Sequence, residues 1–272
     1  MNFKKILSIA LLSALALAGC KDEQKTNATQ QDVRKLVVGV MQGPEAQVNE
    51  VAARIAKEKY NLEVKLVEFN EYTQPNIALN AGDLDINAFQ SGPFLTREMQ
   101  ERGYKFVIQG NTFVFPIAAY SKKIQNIATL PENAKIAISN ELSTVGRSLL
   151  LLQANDVIKL KDPTNLYSTE LDIVENPKNV SITQIDTALL TRALDDVDLA
   201  IINNNYAGQA GLNPEKDGII VEAKDSPYVN LIVSRENNKD NPLIQDYVKA
   251  FQTDEVYQEA LKHFPGGIVK GW

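Results

Sequence analysis

A small set of polar side chains gives this sequence its chemistry. Arg147 follows Gly146 where a helix is expected to open, and the segment Asn140-Glu141-Leu142-Ser143-Thr144 before it offers capping side chains. A guanidinium beside free backbone N–H groups and the positive end of a helix can grip a carboxylate through two hydrogen bonds. The plainer alternative is a surface arginine. Asn203, Asn204 and Asn205 follow a strongly apolar run, Val197 to Ile202. Strands of open α/β sheets direct their carboxyl ends at the ligand crevice. An asparagine there offers both donor and acceptor, enough to hold an ammonium or a carboxylate without adding charge, although a polar turn would look the same. Asn230 lies inside the strand-like YVNLIVS, where an apolar residue would be the default, so its amide must find partners. The aromatics Phe69, Tyr72, Phe89, Phe113 and Phe115 sit at the ends of apolar segments, as core residues or as walls of an apolar slot. His263, the single histidine, reads as a surface residue.

Catalytic constellations are missing. The sequence shows no Ser-His-Asp or Cys-His pairing, no His/Cys cluster with metal spacing and no phosphate-binding glycine loop, so neither enzyme, metal nor cofactor is expected.

The elements that must position these residues alternate between strand and helix. Lys35 to Val40 is a valine-rich run suited to a strand buried on both faces. Gly43-Pro44-Glu45 turns the chain into a helical stripe of Val48, Val51, Ala52 and Ile55. A strand at Glu63–Glu68, a helix at Asn76–Ala81 and an apolar segment at Leu84–Phe89 follow. After Phe115-Pro116, strands are expected at Ile117–Tyr120, Ala134–Ile138, Ser181–Ile185 and Val197–Ile202, with helices at Gly146–Gln153 and Leu189–Leu194. The chain then returns to a strand, Tyr228–Ser234, and one long amphipathic helix, Pro242–Lys262. The pattern predicts an α/β architecture of two lobes, each a mixed sheet flanked by helices, with the chain crossing between them more than once. The expected division is 34–116 plus 228–272 for the first lobe and 117–227 for the second. A cleft between such lobes is a common small-molecule site.

The amino terminus gives the address. Lys4 and Lys5 precede an apolar stretch, Ile6 to Ala16, too short to span a bilayer. Leu17-Ala18-Gly19-Cys20 then reads as the end of a lipoprotein signal peptide, residues 1–19, with Cys20 as the lipidated residue. Cys20 is the only cysteine in 272 residues, so no disulfide is available to the fold. Residues 20–33 would form a polar tether. The expected location is the cell envelope, on a membrane through the lipid and facing the periplasm or exterior. A hydrophobic content of 44% suits a folded globular chain, and a net charge of −6 without a basic stripe argues against nucleic acid.

Several segments together resemble the methionine-binding lipoproteins of the NlpA type, the substrate-binding components of methionine ABC importers. They are KLVVGVMQGPEAQVNEVA (Lys35–Ala52), VEFNEYTQPNIALNAGDLDINAFQ (Val67–Gln90), GNTFVFPIAAYSKKI (Gly110–Ile124), GRSLLLLQ (Gly146–Gln153), LDIVENPKN (Leu171–Asn179), RALDDVDLAIIN (Arg192–Asn203), KDSPYVNLIVSRENN (Lys224–Asn238) and GGIVKGW (Gly266–Trp272). The resemblance implies two lobes closing on free L-methionine and a monomer that delivers it to an ABC permease and ATPase complex. It implies that Arg147 pairs with the ligand carboxylate, that Asn203 and Asn230 hold its polar end, and that Tyr72, Phe89, Phe113 and Phe115 line or border the side-chain slot. Asn205 belongs to the same polar cluster with less weight. The chain departs from the family pattern at Ser91, where a histidine is usual, and at Ser139–Thr144, where Pro-Asn-Asp-Pro-Thr-Asn is usual. These departures admit another amino acid or a small peptide as ligand. Lys21, after the lipidation site, also admits an outer-membrane lipoprotein acting as adhesin or antigen.

Overall fold

A computed structural model describes residues 34–264 and 267–272. The signal peptide, Cys20 and the tether lie outside the described residues. The chain runs β1 (Arg34–Met41), α1 (Pro44–Tyr60), β2 (Leu62–Phe69), α2 (Gln74–Ala81), β3 (Ile86–Ser91), α3 (Gly92–Arg102) and β4 (Phe106–Val114). It continues through β5 (Ala118–Tyr120), β6 (Lys135–Ser139), α4 (Leu142–Gln153), the short β7 (Lys159–Leu160) and β8 (Ile173–Glu175), and β9 (Ser181–Ile185). Next come α5 (Leu190–Ala193), β10 (Leu199–Ile202), α6 (Asn204–Gln209), α7 (Pro214–Asp217) and β11 (Gly218–Val221). The chain closes with β12 (Val229–Arg235), α8 (Pro242–Phe251), α9 (Asp254–His263) and β13 (Val269–Lys270).

Two mixed sheets organise these elements. The first has six strands in the order β13-β4-β12-β3-β1-β2, and the second has five in the order β11-β5-β10-β6-β9. The chain passes from the first sheet to the second through residues 115–117 and returns through 222–228. Strand β1 is parallel to both β2 and β3, which parallel crossover connections allow, while β12 runs antiparallel to β3 and β4 because it arrives from the other sheet.

Side-chain alternation along β1 decides the layers. Leu36, Val38 and Val40 pack with Ala52 and Ile55 of α1 and with Tyr247, Phe251, Val256 and Ala260 of α8 and α9. Val37 points the other way, into a cluster with Leu79, Leu95 and Val233 under α2 and α3. In the second sheet Ile136, Ile138, Leu199 and Ile201 pack on Val145, Leu149 and Leu152 of α4. A further cluster joins the two parts of the chain: Met41, Phe89 and Phe94 meet Tyr120, Ala137, Ile202 and Tyr206.

Three expectations are corrected. The helix expected over Pro242–Lys262 is two helices, broken at Gln252-Thr253. The Thr253 side chain caps the second by accepting from Val256 N. The apolar stripe continues on both sides of the break, which hides it from periodicity. Helix α4 begins at Leu142 rather than Gly146, because Glu141 caps it. Strand β4 and helix α3 are additional elements; Gln109, Gly110 and Asn111 interrupt any period-two pattern along β4.

Candidate functional site

Between the two sheets lies a cavity lined from both of them and partly open to solvent. Its aromatic wall comes from the first part of the chain. Tyr72 stacks on Phe89 with ring centroids 6.2 Å apart, and Phe94 meets Phe89 edge-on at 5.9 Å. Tyr206 closes on Tyr72 from the other side at 5.3 Å. Phe89 is aimed by a bulge: Ala88 pairs with Ile232 and Gln90 with Leu231, so Phe89 has no opposite residue on β12. The Asn230 amide donates to the Phe89 carbonyl at 2.7 Å and holds the bulge in place. Behind it, Asn76, Asn87 and Gln90 satisfy one another in a fully buried amide network. Such a network fixes side-chain orientation, because any defect would leave a buried polar group unpaired.

The polar wall is built on α4 and β10. The Glu141 carboxylate accepts from the backbone N–H and the hydroxyl of both Ser143 and Thr144, at 2.6 to 3.0 Å. Gly146 permits the close packing of this helix, since a Cβ there would meet the Leu166 carbonyl oxygen at 2.2 Å. Arg147 is therefore in the second turn of α4, past the free N–H groups expected beside it, and it is buried rather than on the surface. It is also already paired. Its Nε and Nη2 donate to the two oxygens of Glu222 at 2.9 and 2.5 Å, and Nη2 also donates to the Phe115 carbonyl at 2.9 Å. The guanidinium lies over the Tyr228 ring, 4.5 Å from its centroid. Both chain crossings are thereby tied to one arginine. Its Nη1 has no protein partner among the described residues and remains available to an anion.

The asparagines after β10 divide their work. Asn203 and Asn204 line the cavity, and Asn203 Oδ1 and Asn204 Nδ2 are buried without partners among the described residues. Asn205 lines the cavity too, but both ends of its amide are engaged by protein. Its Oδ1 accepts from Glu45 N at 3.3 Å and its Nδ2 donates to the Gln42 carbonyl at 3.1 Å. It is a bridge from α6 to the start of α1 rather than a free ligand contact. Ser91 lines the cavity at the start of α3 and makes no capping bond.

Among the expected residues, Arg147, Asn203, Asn205, Asn230, Tyr72, Phe89, Phe115 and Ser91 all reach this one cavity. Phe113 does not. It is 0% exposed and packs against Phe251 and Trp272, with centroids 5.5 and 5.0 Å away, supporting Phe115 from behind. Sequence reasoning missed Glu45, Glu222 and Phe94. Glu45 could have been noticed as an acid directly after the Gly43-Pro44 turn; nothing local marks Glu222, 75 positions from its arginine. Burial pushes the Glu45 carboxyl well above the usual carboxylate range. Burial, with Glu45's charge as the next cause, likewise raises Tyr72 well above the usual phenol range. Among the described residues, no group of three His, Cys, Asp or Glu side chains could hold a metal ion, and no helix is long and apolar enough to cross a membrane.

Two helix-flanked mixed sheets closed over one buried polar and aromatic cavity define the periplasmic substrate-binding class. A protein of that class, described as an ABC transporter periplasmic substrate-binding protein of Coxiella burnetii, superposes with a TM-score of 0.84 at 42% identity, covering 87% of this chain and all of its own. A nutrient-binding protein of Burkholderia cenocepacia, solved bound to methionine, matches with a TM-score of 0.84 at 47% identity over 87% of this chain and 100% of its own. The probable D-methionine-binding lipoprotein MetQ of Pasteurella multocida is 64% identical over the full length of both chains. The NlpA lipoprotein family model matches residues 36–272, and the chain belongs to that family.

Proposed function

We propose that this chain is an envelope lipoprotein that captures methionine between two lobes and hands it to an ABC importer. The lobes are residues 34–116 with 228–272, and 117–227. The observation that carries this reading is the contrast inside the cavity. Among the described residues, Asn203 Oδ1 and Asn204 Nδ2 are buried without partners and Arg147 uses only Nε and Nη2 on protein, all three residues lining the one cavity, while Tyr72, Phe89, Phe94 and Phe115 supply an apolar slot. Arg147 and Asn204 donate to the ligand carboxylate, and Asn203 with Asn230 accept from its polar end. The aromatic rings hold the thioether, whose polarizable sulfur gains from ring contact. Glu222 keeps the site near electrical balance for a zwitterion, since it cancels most of the arginine's charge. Lipidation at Cys20 holds the monomeric protein at a membrane, and closure of the lobes presents the loaded form to the permease.

The test is a titration of mature protein that has been unfolded to strip ligand and then refolded. L- and D-methionine are compared by calorimetry, with Asn230→Ala alongside. Binding tighter than ~1 µM, weakened at least tenfold in the variant, supports the reading. Absence of heat from folded protein would sink it. A second reading rests on Ser91, which lines the cavity at the start of α3: a side chain this short suits a longer ligand such as a small peptide, and methionyl dipeptides belong in the same titration.

A further inference from the structure

The aromatic wall of the cavity stands on a buried strut of three amides. Asn76 and Gln90 pair reciprocally: Asn76 Nδ2 donates to Gln90 Oε1 at 2.8 Å, and Gln90 Nε2 donates back to Asn76 Oδ1 at 2.9 Å. Asn87 closes the ring, donating to Asn76 Oδ1 at 2.9 Å and accepting from Gln90 Nε2 at 2.8 Å. Its Nδ2 also reaches the Pro75 carbonyl at 3.4 Å. All three residues are at most 2% exposed. Asn76 is in the first turn of α2, whereas Asn87 and Gln90 are on β3, so the ring of amides joins a helix to a strand. Gln90 lines the cavity, and the two asparagines lie behind it.

Its place in the chain gives the ring a task. Tyr72 is four residues before Asn76, Phe89 is next to Gln90, and Phe94 is four residues after Gln90. Those three aromatic side chains meet one another at 5.9 to 6.3 Å and form the apolar wall. Apolar packing is non-directional and lets rings slide, whereas interlocked amides allow one relative placement of α2 and β3. Apolar side chains of similar size would bury as much surface without the cost of desolvating three amides. What the amides add is a single geometry. We propose that Asn76, Asn87 and Gln90 are positioning residues that set the length of ligand side chain the slot accepts. The inference rests on the amino-acid-binding reading above and deepens it. The polar wall holds the head of the ligand, so the place of the aromatic wall decides how many side-chain atoms fit between them.

The positions are not equivalent. Without Asn87, the Asn76 and Gln90 amides still pair both ways, so the strut loses one side and no amide is left alone. Without Asn76, Gln90 Oε1 loses its donor, and of these bonds only the long one from Asn87 to the Pro75 carbonyl still links α2 to β3. Asn76→Ala is the deeper break and Asn87→Ala the milder one.

The experiment measures by calorimetry the affinity ratio of L-methionine to L-ethionine, which is one methylene longer. The proteins are ligand-stripped wild type, Asn87→Ala, Asn76→Ala and Leu152→Ala. One methylene in an apolar pocket is worth roughly 10- to 200-fold, so wild type is expected to prefer methionine at least tenfold. The preference is expected to fall to about threefold or less in Asn76→Ala and to an intermediate value in Asn87→Ala. Leu152→Ala empties a fully buried position in the core of the other sheet, and is expected to lose stability while keeping the wild-type ratio. A purely structural role of the amides would give that same pattern, lower stability with the ratio unmoved, and would overturn the proposal. Wild-type affinities for the two ligands within about threefold of each other would overturn it as well, and that readout stands even where a variant does not fold. Should wild type bind neither ligand, the methionine reading fails first. The same ratio, taken between the amino acid that does bind and its homologue one methylene longer, then decides the strut.

Discussion

Helices α1 and α4 both open onto the cavity, from opposite sheets, and their first turns are completed in different ways. The start of α4 is finished within its own sequence: Glu141 takes two N–H groups and two hydroxyls from residues 143 and 144. The start of α1 has Gly43 as its capping position, with no side-chain cap, and Pro44 in the first turn. Its open N–H at Glu45 is met by Asn205, 160 residues away on α6. Gln42, just before the turn, accepts from both Asn205 and Gln209. One wall is thus formed by neighbours in the chain, whereas the other is complete only when α6 lies against it. A binding protein gains from this division. The local wall presents the arginine in a fixed geometry, and the non-local wall stands only while Asn205 of α6 holds Gln42 and Glu45.

The largest break in this arrangement comes from removing the arginine of the local wall. Arg147→Ala removes a buried guanidinium, leaves the partly buried Glu222 carboxylate without its partner, and is expected to cost about 3 kcal/mol of stability, read by urea denaturation. Glu222→Gln is expected to cost less, because the amide still accepts from the guanidinium. If the two variants were equally stable, the pair would not be what fixes the arginine.

Next is Gly43→Ala on the non-local wall. Its φ of +86° disfavours any side chain, and a Cβ there would meet Gln209 Cγ at 2.7 Å. A cost of about 1–3 kcal/mol is expected, with ligand affinity falling more than tenfold as the α6 contact is pushed away. Affinity within threefold of wild type would show that the contact does not support binding.

Glu141→Ala and Asn205→Ala sharpen the contrast directly. Loss of the cap is expected to lower stability by about 0.5–2 kcal/mol, equally with and without ligand. Loss of the bridge removes hydrogen bonds worth about 1 kcal/mol, and is expected to appear mainly as roughly fivefold weaker binding. Thermal melts with and without methionine separate the two patterns.

The smallest effect concerns Glu45 in the ligand-free protein. Its folded-state value is raised, so the folded protein holds this proton more tightly than the unfolded chain does. Stability therefore falls as pH rises from the usual carboxylate range through the raised value. Glu45→Gln lacks that loss. The variant is expected to melt a few degrees higher than wild type at neutral pH, where ~1 kcal/mol moves Tm by about 2–4 °C, and the gap to close on acidification. A gap independent of pH would assign the effect to packing.

Much of the frame was legible from residue order. The valine-rich β1, the stripe of α1 and the strand running into the three asparagines announce themselves by hydrophobic periodicity, since each buries its own side chains. Arg147, Asn203 and Asn230 were legible because a polar residue at the edge of an apolar element needs a reason. The break between α8 and α9 was hidden by a stripe that continues across it.

What the sequence alone determined is the set of local elements and the polar residues at their ends, because those depend on neighbours within a few positions. Only the tertiary structure decided which of them share a cavity. Phe113 is core and Phe115 lines the site because Trp272 and Phe251 come to lie over the former. Phe89 is aimed by the register of β12, 141 residues from the asparagine that holds its carbonyl. Arg147 finds Glu222, and Glu45 loses its water, only when distant segments close around them. Burial and pairing are properties of that closure, and no local pattern encodes them.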